Sequence, residues 1–82
     1  MSEDKLLTRL AEYFNLSAKR RRKKVEELEK VIRKIKKKEK EMVANCRKVR
    51  GEEEREILKQ RYRILHAQRK KGQKALRRIK RG

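Results

Sequence analysis

From residue 25 onward the apolar residues step by three and four: Val25, Leu28, Ile32, Ile35, Met42, Cys46 and Val49, with Glu39 in the one skipped slot. That spacing keeps one side of an α-helix apolar and reads as a heptad seam. It extends backwards through Ala18, Phe14, Ala11 and Leu7, with Arg21 interrupting it. A second seam runs through Leu58, Tyr62, Leu65, Gly72, Leu76 and Ile79, with Arg69 in its own skipped slot. The two seams are out of phase by two residues: continuing the first puts core positions at 53 and 56, whereas the second places them at 55 and 58. A stutter shifts the frame by four and a stammer by three, so neither reconciles them.

A break near Gly51 does. Glycine is favoured just past a helix end, and Glu52, Glu53, Glu54 and Glu56 suit the positive end of a new helix dipole. The competing reading is one continuous helix, because an exposed glycine costs only about 1 kcal/mol relative to alanine. Folding the chain at the break pairs positions whose numbers sum to 104: Cys46 with Leu58, Met42 with Tyr62, Glu39 with Leu65, Ile35 with Arg69, Ile32 with Gly72, Leu28 with Leu76 and Val25 with Ile79. One register serves every pair. The expected fold is therefore all-α, a coiled-coil-like antiparallel helical hairpin with arms near 17–49 and 52–81, each about 45–50 Å long.

Burial is the weak point of this design. The chain has 82 residues, of which 34% are apolar and 51% charged, close to the composition of disordered chains. A two-helix arrangement of this size is marginal on core burial alone. Two features point to further packing. Ile57 and Ile64 widen the apolar arc of the second arm, and residues 3–16 form a short amphipathic helix carrying Leu6, Leu7, Leu10, Tyr13 and Phe14. Asn15 would end that helix and Ser17 cap the next. The chain thus divides into an N-terminal helix in 1–16 and a basic hairpin in 17–82. The N-terminal helix would fold back or pack on a second chain, and scarce burial favours a homodimer that completes a bundle.

The charge, +18 overall, is unevenly distributed. Residues 1–16 and 41–56 each carry a net −1, with two cations against three anions and four against five. Residues 17–40 hold thirteen cations and four anions, net +9, and residues 57–82 hold eleven cations and no anion. In a hairpin these two basic segments lie side by side. With Leu58 at 0° on a helical wheel, Lys59, Arg63, Lys70, Lys74, Arg77 and Arg81 all fall between about 100° and 160°. They form one stripe about 33 Å long, close to a turn of duplex nucleic acid. The run from Lys19 to Lys24, in particular Lys19, Arg20, Arg22, Lys23 and Lys24, supplies a second grip. Glu26–Lys30 and Glu29–Arg33 have the spacing of helix-stabilising pairs. A charged helix face is ordinarily just a solvated one, but a single-sign face stores repulsion that a polyanion relieves while releasing its counterions.

Other chemistries lack support. Cys46 occupies a seam position, and His66 has no Cys or second His at ligand spacing, so no metal site is expected. No nucleophile–base arrangement or glycine-rich phosphate loop is present, so an enzyme is not expected, nor is a cofactor. No apolar run is long enough for a membrane span, the N-terminus does not read as a secretory signal, and one cysteine suits a reducing, cytoplasmic setting. The narrow apolar face without Trp argues against attachment to anionic membrane. The string KRRRKK also resembles a nuclear localisation signal, a weak pattern in so basic a chain. The expected function is binding of RNA or DNA through phosphate contacts with little sequence specificity. The alternative is a coiled-coil scaffold or adaptor that docks an acidic protein partner.

Overall fold

The computed structural model describes the backbone of residues 3–81 and the side chains of residues 4–80. Four helices follow one another: α1 (Glu3–Phe14), α2 (Ala18–Lys23), α3 (Val25–Lys48) and α4 (Glu52–Arg81). The fold is all-α, with no strand among the described residues. Its dimensions are 47 × 20 × 17 Å, the long axis matching a 30-residue helix at about 1.5 Å per residue.

The seam residues of α3 and α4 face inward. Leu28, Ile32, Ile35, Glu39 and Met42 are buried on α3, as are Leu65 and Gly72 on α4, and Leu58, Tyr62, Arg69, Leu76 and Ile79 are half-buried. Contacts run in opposite directions along the two helices: Glu29 with Lys80, Ile32 with Gly72 and Glu39 with Arg69. The helices approach closely at Gly72. A Cβ built on it would lie 3.3 Å from Ile32 Cγ1 and 3.4 Å from Leu10 Cδ1. The missing side chain is what lets α1, α3 and α4 meet at one point.

α1 lies in that junction. Leu6, Leu10 and Tyr13, at helical spacing, are buried in the same core as Leu28, Val31, Ile32, Ile35, Met42 and Leu65. Residues 3–16 therefore pack on their own chain. Val31, outside the heptad seam, is buried because α1 widens the apolar contact on α3 beyond one stripe. A 12-residue helix is about 18 Å long, so α1 covers only part of the α3–α4 pair. Towards the turn the packing thins, and Ile57 and Ile64, expected to extend the apolar contact, stay 51% and 53% exposed.

The first long arm is not continuous. Ser17 caps α2, its Oγ accepting from Arg20 N–H at 3.4 Å. At Lys24 (φ −109°, ψ 26°) the helix breaks and α3 begins. The break uncouples α2 from the phase of α3. Arg21, which would interrupt the seam, is tied to α1 instead: its guanidinium donates to the Phe14 carbonyl, and its own carbonyl accepts from Tyr13 Oη at 3.0 Å. At the other end α3 stops at Val49, whose extended backbone (φ −76°, ψ 130°) leaves the helix. α3 and α4 are separated at 49–51, as expected, and because no glycine among the described residues has positive φ the break does not use a left-handed Gly51. Gly51 precedes α4, and its carbonyl accepts from Arg55 N–H at 3.1 Å. Arg55 Nε returns across the turn to the Val49 carbonyl at 2.9 Å, satisfying an acceptor that the end of α3 leaves open.

Candidate nucleic-acid interface

α4 is unbroken from Glu52 to Arg81, so the stripe residues share one helix face. Lys59, Arg63, Lys70, Lys74 and Arg77 are all exposed, and the Arg81 side chain lies outside the described residues. Lys59 differs from the others: it sits near the turn with Glu56 at 3.8 Å, which lowers the local positive charge. On α2 and the following junction, Lys19, Arg20, Arg22, Lys23 and Lys24 are exposed as well. Neither Glu26–Lys30 nor Glu29–Arg33 forms among the described residues. Glu29 turns to Lys80 on α4 at 3.3 Å, because it lies half-buried on the flank of α3 that faces α4.

The two basic segments converge at one place. A groove of ≈ 530 Å³ opens between α2 and the C-terminal part of α4. Its rim carries Arg21 and Arg22 from α2 with Lys71, Lys74 and Arg78 from α4, and no carboxylate lines it. Its floor is apolar: Phe14, Ala18, Ala75 and Ile79. Lys71 Nζ lies 4.5 Å from the Phe14 ring centroid, a cation–π distance. Arg21 Nε is buried without a hydrogen-bond partner. Arg22 and Lys74, read from the sequence as members of separate grips, thus face one hollow. Arg21 lies within the Lys19–Lys24 run, whereas Lys71 and Arg78 were not among the sequence candidates.

A second polar cluster lies inside the helix pair. Glu39 is 4% exposed, and its carboxylate accepts from Arg69 Nε at 2.5 Å, with His66 Nδ1 3.0 Å away. Arg69 Nη2 lies 3.2 Å from the same His66 nitrogen. The His66 ring stacks on Tyr62, centroids 5.5 Å apart. The cluster closes on itself and serves packing.

Near the turn, a shallower hollow of ≈ 500 Å³ is lined by Met42, Cys46, Leu58 and Tyr62 with Lys59 at its edge. Cys46 is half-buried there with a free thiol. Among the described residues no group of three or more His, Cys, Asp or Glu side chains is placed to hold a metal ion, and no helix is long and apolar enough to cross a membrane. No protein-family model matches the chain, and neither a curated protein nor a solved structure is significantly similar to it.

Proposed function

We propose that this chain is a small, non-catalytic nucleic-acid-binding protein of the cytoplasm. It acts as an antiparallel, coiled-coil-like hairpin braced by α1, neutralising the phosphates of RNA or DNA with little sequence selectivity. The observation that carries this reading is the juxtaposition of two acid-free sets of cations. Exposed Lys and Arg run along α4 from Arg63 to Arg77, and the α2 cluster adjoins them across the groove. Among the described residues no carboxylate pairs with Arg22, Arg63, Lys70, Lys74, Arg77 or Arg78. Charges left open in this way suit a polyanion, whose binding removes their mutual repulsion and releases condensed counterions. Phosphate contacts of this kind position a protein without reading sequence. The test is a salt titration of binding to duplex RNA and DNA by the parent and by a variant with Arg63, Lys70, Lys74 and Arg77 all changed to Glu. Loss of binding in the variant supports the reading, and parent-like binding overturns the stripe assignment.

A second reading is favoured by the exposed Ile57, Ile64 and Val43. Such residues near a turn of low net charge suit a protein contact, either with a second copy as a homodimer or with an acidic partner for which the chain is an adaptor. An Ile57→Lys, Ile64→Lys variant separates the two. Retained polynucleotide binding with loss of self-association or partner capture supports the contact reading.

A further inference from the structure

We propose that the groove between α2 and α4 holds a single unstacked nucleotide, with its phosphate on the cationic rim and its base on the apolar floor. This rests on the nucleic-acid reading and narrows it: phosphates along α4 need only exposed cations, whereas the groove offers something more.

Its composition is divided. Arg22, Lys74 and Arg78 on the rim come from two helices and face the same space, and Phe14, Ala18, Ala75 and Ile79 make a floor with no polar side chain. Inorganic phosphate would use the rim and leave the floor uncovered. A base attached to that phosphate covers both. The volume, ≈ 530 Å³, lies within the range of about 300–1,000 Å³ usual for small-ligand clefts. Arg21 adds a wall. Its guanidinium is held by the Phe14 carbonyl, and its buried Nε keeps an unsatisfied donor. Lys71 Nζ lies over the Phe14 ring, 4.5 Å from its centroid. Lys74 belongs both to the groove and to the α4 stripe, so a strand following the stripe leads into the hollow.

The test uses the full chain and three labelled DNA duplexes of equal length. One is blunt, one ends in a single unpaired 3′ nucleotide bearing a terminal phosphate, and one carries an abasic residue with the same phosphate in that place. The nucleotide-tailed duplex should bind about fivefold or more tightly than either of the others, the gain expected for one base on an apolar and aromatic surface. Ala75→Leu fills the floor and removes no charge. It should abolish that preference and leave blunt-duplex affinity within about twofold, the size of effect expected when no phosphate contact is lost. If Ala75→Leu loses its helical circular dichroism, Ala18→Leu fills the same floor from α2.

Equal binding of all three duplexes by the parent overturns the nucleotide site and leaves the phosphate track standing. Equal binding of the abasic and nucleotide tails also overturns it, reducing the groove to a phosphate contact. Persistence of the preference in a folded filling variant places the base elsewhere. Binding of an acidic peptide with no binding of any duplex overturns the site and the nucleic-acid reading together.

Discussion

Glu39 on α3 and Arg69 on α4 meet inside the helix pair at 2.5 Å, with the carboxylate almost wholly buried. Each occupies the skipped slot of its apolar seam, so the two departures from the heptad pattern answer each other. Burying a carboxylate is unfavourable unless it is paired and hydrogen-bonded. Arg69→Met leaves the buried Glu39 side chain with only His66 beside it and should destabilise the chain by about 3–5 kcal/mol. Glu39→Leu combined with Arg69→Met should recover the parent's stability or exceed it. Urea unfolding of the two singles and the double forms the cycle. Additive losses would show that the pair is not coupled.

Gly72 is where three helices touch, and it tolerates little added volume. Gly72→Val pushes two methyl groups towards Ile32 and Leu10 and should lower stability by about 1–3 kcal/mol, as overpacking does in other cores. Thermal melts measure it directly. A variant as stable as the parent would mean that α1 moves away freely.

Burial raises the pKa of the Tyr13 hydroxyl above its ordinary value of 10.0, with the nearby Arg21 charge pulling the other way. The folded chain therefore holds this proton more tightly than the unfolded chain. The stabilisation is complete below the unfolded phenol's pKa and is lost as pH rises through the higher folded value. Tyr13→Phe removes the hydrogen bond to the Arg21 carbonyl, though Lys24 N–H still reaches that oxygen at 3.1 Å. It should cost about 1 kcal/mol at neutral pH, and the gap to the parent should close above pH ~10. The difference in stability between the two proteins is the readout.

For the stripe, each phosphate neutralised on a DNA duplex adds about −0.9 to the slope of log affinity against log salt. Neutralising Arg63, Lys70, Lys74 and Arg77 singly to Gln should flatten the slope by about one unit each. Lys59→Gln should change it less, because Glu56 already lies beside that lysine. An equal effect at Lys59 would extend the contact to the turn.

The helical character of the chain was legible because the 3.6-residue period is a local property. Residues from Val25 to Val49 and from Leu58 to Ile79 at seam spacing are all buried or half-buried. The exposure of the stripe followed from the same wheel. What the wheel omits is how a third element approaches. Lys71 and Arg78 lie at about 200–220° on it, outside the stripe, and join the groove only through the placement of α2 beside α4. Arg21 on α2 is tied to Tyr13 and Phe14, eight and seven residues earlier, contacts that helical periodicity does not encode. The same limit hid Val31, whose burial needs α1. It also let Ile57 and Ile64 read as packing residues, although α1 is too short to reach the turn.

Deleting residues 3–16, a natural way to ask whether they recruit a partner, would remove Leu6, Leu10 and Tyr13 from the core. The distance between the α2 cations and those of α4 depends on the same segment, since Tyr13 and Phe14 hold Arg21 in place. In the proposed contact α1 would be a spacer: a slightly acidic segment, contributing no cation, that would set the gauge at which two positive rails are laid. Trimming the bulk of Phe14 would change the width of what they can carry without touching a single charge.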